Sequence, residues 1–549
     1  MKLSQSILGF SSYFEFEAQY APLSPYGRAV RDARSFMSSR HELEVEYDRI
    51  DMAIEFLRTH EEKVDAVRYA LQRISLLPSF SQSIFYAADI FLVKKFVVNF
   101  FKVAALLPRR TALFFRVEFE IRELRDLLGE SDIEDGDETF YLTERYSSEL
   151  AAVRKELRRV DELEKRTRRN LVELVLQDTG LDFRCREFLV FNAEKARLLE
   201  KSRFVLEPFD SHNFVVRLVL TDEILALAAE RDALLLRERA AEEQVYQAIS
   251  AKIIDHVPFL KAYAEAVAAF DVALAKAQLA IDFGMVRPVL LPSESARQIF
   301  VREGRFLPLV WRCDREDLRY WPLELEVSKR ANIVFGSNMG GKTVVLKSLS
   351  FFQVLAQMGF FVPADEFETK VFSDLAYVGA LIPAFGSSES GALAERSEEG
   401  LSGFGQEIHD FSKEWKSSQT PKLIFVDEFA RTTNSVEASA LVGAVLHALA
   451  ASEERVGIVS SHFMDIKGLS KSECGFFRMK GLSRKAFEEF YLKGAQGSLA
   501  ERLQRVNRFM EYQVVVEKEL VAVRDALSIA EALGLPSEIL GYARRALGE

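Results

Sequence analysis

Cysteine is nearly absent. Cys185, Cys313 and Cys474 stand far apart along the chain, which excludes a disulfide framework and any paired-cysteine zinc spacing. Three isolated thiols fit a reducing compartment, and the expected location is cytoplasmic. Tryptophan is scarce too, at 3 residues against 44 phenylalanines. Long apolar runs are missing: the most membrane-like stretch, residues 84–107, is interrupted by Asp89, Lys94, Lys95 and Lys102. It falls short of the ~20 apolar residues a membrane span needs, so it reads as a buried pair of helices and no membrane partner is expected. Residues 1–16 hold no apolar core followed by a cleavage site, so no targeting segment is expected there. An excess of positive charge is also lacking. With 72 basic and 83 acidic side chains the formal net charge is −11, which excludes coating nucleic acid by bulk charge and leaves room only for a local basic patch.

What is present is a globular composition, 48% hydrophobic and 28% charged, in 549 residues. That length implies several domains. Residues 1–30 show no clear period and read as an irregular segment. From residue 31 to 107 apolar positions such as Ala53, Phe56, Leu57, Val64, Val67, Ala70 and Leu71 recur every three to four residues, the mark of amphipathic helices. An acidic glycine-containing loop, residues 131–138, reads as a solvated connector. Long charged helices are expected over 143–176 and 221–254, joined through β-like runs at 187–192 and 214–220, which suggests an antiparallel arm with a tip. A further helix, 257–282, leads to Gly284 and Pro288, and from Ala331 strand and helix patterns alternate. The fold class expected is α + α/β. An irregular segment (1–30) precedes a helical core carrying the arm (31–283, arm about 143–254). A phosphate-loop α/β domain with a C-terminal helical segment follows (284–549).

The chemistry is concentrated in that last domain. The apolar run 331–335 leads directly into Gly336, Ser337, Asn338, Met339, Gly340, Gly341, Lys342 and Thr343, a full G-x-x-x-x-G-K-[ST] match, and an amphipathic helix follows. Glycines let backbone N–H groups turn around a polyphosphate at the positive end of a new helix. In that pattern Lys342 reaches the β- and γ-phosphates and Thr343 offers its hydroxyl to Mg²⁺. A second apolar run, 423–426, ends in Asp427 and Glu428, the pair expected to hold the metal and to polarise the attacking water. A third, 456–460, is followed by Ser461 and His462, where a histidine can sense the γ-phosphate or position water. The catalytic set expected is therefore Lys342, Glu428 and His462, with ATP and Mg²⁺ as ligands.

Together these motifs resemble the MutS mismatch-repair ATPases, of the ABC class of phosphate-loop proteins. GSNMGGKT at 336–343 is similar to that family's G-P-N-M-G-G-K-[ST], and DEFARTT at 427–433 to its D-E-[IL]-G-R-G-T. Ser461-His462 stands for its T-H, FVPA at 361–364 resembles its V-P-A, and residues 400–407 resemble its G-x-S-T-F-x-x-E signature. Residues 286–288 and 530–536 resemble its junction and its dimerising end. The resemblance implies a composite site in which Ser402 reaches the nucleotide of an opposite subunit, hence a homodimer or a heterodimer with a related subunit. It implies that the helical arm is a lever and clamp. Ser337 stands where the family has proline, Gly403 where its signature has threonine, and Ala430 where its acidic loop has glycine. No Phe-x-Glu occurs ahead of the phosphate loop, and segment 1–30 is too short for the family's mismatch-reading domain, so a member without that domain is expected.

Two features outside the motifs are open to two readings each. Arg154 to Arg169 holds eight basic and four acidic side chains. Arg158, Arg159, Arg166, Arg168 and Arg169 there are candidates for phosphate contacts with DNA, or they form a solvated face laced with Glu156, Asp161, Glu162 and Glu164. Tyr320 and Trp321 either stack on adenine or pack against a sheet edge. The functions expected are an ATP-gated DNA clamp without sequence reading, or an ATP-driven remodelling factor for a partner enzyme such as a cobalamin-dependent aminomutase.

Overall fold

The computed structural model describes residues 3–115, 121–128, 140–337, 340–379, 403–417, 420–463, 466, 468–483, 509–520 and 526–546. Asn338, Met339, Ser402 and the acidic loop 131–138 lie outside the described residues. The chain divides into two compact units, one of Met1–Gln72, Val103–Arg116 and Ala264–Glu549, the other of Arg73–Lys102 and Val117–Tyr263.

The first unit is built on a six-stranded sheet: β1 (Ala331–Phe335), β2 (Asp374–Val378), β3 (Lys422–Asp427), β4 (Arg455–Ser461), β5 (Cys474–Leu482) and β6 (Met510–Glu517). Their spatial order is β6-β5-β1-β4-β3-β2. All neighbours are parallel except β5 and β6, which pair antiparallel. Every residue of β1 and β3 is buried, as expected of central parallel strands covered on both faces. This is why they appear in the sequence as unbroken apolar runs rather than alternating ones. Helices α1 (Lys342–Gln357), α2 (Gly403–Lys416) and α3 (Ser435–Ala451) follow β1, precede β3 and follow β3 respectively. Helix α2 packs on the core through Phe404, Ile408, Phe411 and Trp415, one helical stripe. A second, four-stranded sheet gathers Val289–Leu290, Glu366–Thr369, Ile299–Gly304 and Leu323–Val327 in that order.

The helical residues 31–72 and 264–283 belong to this same unit. The Tyr47 hydroxyl donates to the Ala356 carbonyl (2.8 Å) and buried Lys276 donates to the Met358 carbonyl (3.0 Å), so both reach the C-terminal end of α1. The segment expected to be irregular is not. Residues 5–10, 13–17 and 25–33 are helical, with Ser4 and Ser24 as N-caps. Each helix is too short to display a period, and Phe10, Tyr13 and Phe16 are core: Phe16 sits edge-on to Phe351 and Phe360, and Phe10 stacks on Tyr377 at 3.8 Å.

In the second unit the helices Ser148–Thr179 and Asp222–Asp255 run antiparallel and meet through Val153, Val160, Leu227 and Leu234. Ser147 and Thr221 cap their N-termini, and Gly180, at φ +73°, ends the first. Between them lies a three-stranded antiparallel sheet, with Asn213–Leu218 flanked by Leu189–Asn192 and Phe204–Pro208. The strand at 204–208 was not anticipated, because it is short, mostly exposed and ends in proline. The stretch expected as a helix pair at 84–107 is instead one helix, Ala87–Leu106, which runs unbroken through its lysines, with Lys94 buried. No helix among the described residues is long and apolar enough to cross a membrane.

Candidate functional site

The glycine-rich loop leaves β1 at Phe335 and enters α1 at Lys342. Gly336 (φ +146°) and Gly341 (φ +89°) occupy backbone conformations closed to most side chains. At Gly341 a Cβ would also lie 3.0 Å from the Tyr512 ring. Lys342 is buried, with Nζ donating to the carbonyls of Gly336 (3.1 Å) and Ser337 (3.0 Å). Burial pulls its pKa down, while Glu428 and Asp427 pull it back up. The Ser337 hydroxyl is buried without a hydrogen-bond partner among the described residues.

The acidic pair falls where the parallel register brings it beside this loop. Asp427 pairs with Ser460 across β3 and β4, and Ser461 with Phe335 across β4 and β1. The Thr343 hydroxyl donates to Asp427 Oδ1 at 3.1 Å, and the Ser460 hydroxyl donates to the same oxygen. Burial raises the Asp427 pKa, opposed by those two hydrogen bonds and supported by neighbouring Glu428. His462 follows β4, with its Nδ1 buried and without a partner among the described residues and its ring 4.1 Å from that of Phe463.

A cavity of about 680 Å³ joins these groups to the aromatic pair: Gly341, Lys342, Thr343 and Glu428 line it together with Tyr320 and Trp321. Tyr320 is held on both sides of its hydroxyl, accepting from Phe306 N–H (2.7 Å) and donating to the Gly304 carbonyl (3.3 Å). Burial pushes its pKa up to about 12. Trp321 carries the Arg319 guanidinium 3.9 Å from its ring centre. Among the walls that sequence reading missed are Cys313, Met479 and Tyr512. They come from a helix, β5 and β6, and no motif marks them.

On the arm the candidate arginines divide. Arg154 bridges Glu238 and Glu242, Arg158 pairs with Glu144, and Arg159 pairs with Glu156 and Glu230. Arg166, Arg168 and Arg169 are exposed and make no ion pair among the described residues.

The fold and site define a mixed α/β protein in which a glycine-rich strand–helix loop and an acidic strand end share one cavity. Residues 332–549 match the family model "MutS domain V". Over 413 residues the chain is 28% identical to an endonuclease MutS2 of Thermomicrobium roseum, covering 73% of this chain and 47% of that protein. It is 31% identical over 238 residues to a DNA mismatch repair protein MutS of Desulfosudis oleivorans (42% and 24%) and 29% identical over 252 residues to one of Thermus aquaticus (46% and 28%). Residues 332–549 are thus similar to a MutS domain V, and the likeness to MutS-type proteins extends over 73% of the chain. The chain spans about half the length of the MutS2 relative and less of the others.

Proposed function

We propose that this chain binds and hydrolyses ATP with Mg²⁺ and uses the cycle to gate an arm that grips DNA. The observation that carries the first half is the 3.1 Å contact between Thr343 Oγ1 and Asp427 Oδ1, beside buried Lys342 in the cavity that Glu428 also lines. Those two oxygens, one hydroxyl and one carboxylate, are the hard donor pair that suits Mg²⁺. The metal would neutralise charge on the phosphates; every other task falls to the chain.

Gly336, Ser337, Asn338, Met339, Gly340 and Gly341 would wrap the phosphates with backbone N–H groups, and the orphaned Ser337 hydroxyl is one more donor turned to that loop. Lys342, now held by two loop carbonyls, would exchange them for phosphate oxygens, which offsets the cost of its burial. Glu428 would accept the proton of the attacking water, and His462 would sense the γ-phosphate with a ring nitrogen. Tyr320 and Trp321 would form the base-binding wall, Tyr320 as a fixed surface and Trp321 as the stacking ring. Ser402 would complete the site of an opposite subunit, so the working form is a dimer, homomeric or with a related chain.

The DNA half rests on the likeness to DNA mismatch repair proteins and an endonuclease MutS2, and on the arginines of the arm. Arg166, Arg168 and Arg169 are exposed and unpaired among the described residues, so they are the side chains available to phosphates, while Arg158 and Arg159 would first have to leave carboxylates. The test is twofold: Mg²⁺-dependent ATP turnover, and binding to duplex, branched and single-stranded DNA titrated with salt. Binding that weakens steeply with salt in a protein that turns over ATP supports the clamp. Turnover with no DNA binding at low salt overturns the clamp in favour of a protein-remodelling role.

A further inference from the structure

Strand β3 leaves the sheet through a turn that an ordinary sequence resists. Glu428 (φ +48°) and Ala430 (φ +62°) both adopt the left-handed conformation, although each carries a Cβ. Such residues persist only where their surroundings hold them. Here each amide is taken by a side chain from a different element. The Glu428 N–H donates to Ser460 Oγ on β4 (3.0 Å), and the Ala430 N–H donates to Glu407 Oε2 on α2 (2.9 Å). Ser460 also donates to Asp427, so it ties the two acids to one strand.

Helix α2 grips the turn a second time. Phe429, between the two left-handed residues, is buried against Phe411, with ring centres 5.2 Å apart. Glu407 and Phe411 lie four residues apart on one face of α2. Ala430 stands where D-E-[IL]-G-R-G-T has glycine. A glycine would adopt φ +62° without steric cost, whereas alanine needs an external restraint.

We propose that Glu407 is a positioning residue for Glu428, supplying from α2 a restraint that holds Ala430 in its left-handed conformation. This rests on the reading that Glu428 polarises the attacking water. Glu407 touches no phosphate in this scheme. It fixes the turn so that the Glu428 carboxylate stays at the cavity rather than swinging away with a relaxed backbone.

The experiment compares steady-state ATP turnover and binding of a fluorescent ATP analogue with Mg²⁺ in five proteins: wild type, Glu407→Ala, Glu407→Gln, the double variant Glu407→Ala/Ala430→Gly and, as the reference for the base, Glu428→Gln. Glu407→Ala is expected to lower kcat about ten-fold or more, with KM and analogue affinity within about two-fold. Glu407→Gln keeps an oxygen acceptor and is expected to retain most of the turnover. The double variant is expected to recover most of what Glu407→Ala loses, because glycine holds the left-handed conformation unaided. Thermal melting checks that all five are folded. If Glu407→Ala turns over at the wild-type rate while Glu428→Gln does not turn over, the proposal is wrong and the reading of Glu428 survives. If Ala430→Gly restores nothing, or analogue affinity falls in parallel with kcat, Glu407 is merely structural and the proposal is again wrong. A wild-type rate in Glu428→Gln overturns both.

Discussion

The cavity at the end of the parallel sheet and the surface of the long arm treat charge in opposite ways. At the sheet a lysine and a carboxylate, Lys342 and Asp427, are buried with their pKa values moved by that burial. On the arm arginines and glutamates are exposed and largely neutralise one another, as Arg159 does with Glu156 and Glu230. Buried charge is costly unless a partner repays it, so a site built this way is poised for a ligand that brings charge of its own. Exposed pairs contribute little to stability and are screened by salt. On such a surface the informative side chains are those left out of the pairs.

The contrast can be broken most forcefully at its buried end. Lys342→Ala removes the one cation the loop buries, and ATP affinity is expected to fall on the order of a hundred-fold or more, measured by titration calorimetry. An unchanged affinity would mean that the loop does not bind phosphate. At the arm, the triple change Arg166→Ala, Arg168→Ala and Arg169→Ala is expected to flatten the salt dependence of DNA binding by a slope of about 3, near 0.9 per lost phosphate contact. Arg158→Ala and Arg159→Ala are expected to flatten it less, because those guanidiniums are already paired. Equal effects from the two sets would erase the distinction drawn between them.

The smallest effect concerns stability and pH. Burial raises the folded-state pKa of Asp427, so its ionised form costs stability above that pKa, and the cost disappears as pH falls through it. Asp427→Asn keeps the oxygen that Thr343 and Ser460 bond and removes the charge. It is expected to melt a few degrees above wild type at neutral pH, with the gap closing as the medium is acidified. A gap that widens toward acid would contradict the assigned direction.

How much of this was legible in the sequence follows the same division. The loop, the acidic pair and the strand ends could be read because each residue type there answers to one geometric demand: glycine for φ +146° at Gly336 and +89° at Gly341, unbroken apolar runs for strands buried on both faces. The arm's helices were legible from their charge and leucine pattern. The N-terminal helices were not, since elements of five to nine residues show less than three turns of period. Tyr512 and Cys313 were invisible as cavity walls because tertiary structure alone brings β6 and a distant helix to the loop. Except for Arg159–Glu156 within one helix, the ion pairs that occupy Arg154, Arg158 and Arg159 join residues 14 to 88 apart, a distance at which charge patterning along one helix says nothing.

The central claim, that Glu428 beside Asp427 and Lys342 activates water on a bound nucleotide, is tested most directly by Glu428→Gln in a single-turnover assay with Mg²⁺ and labelled ATP. Binding at wild-type affinity with hydrolysis slowed by about a hundred-fold or more is the predicted result. Hydrolysis at the wild-type rate would contradict it.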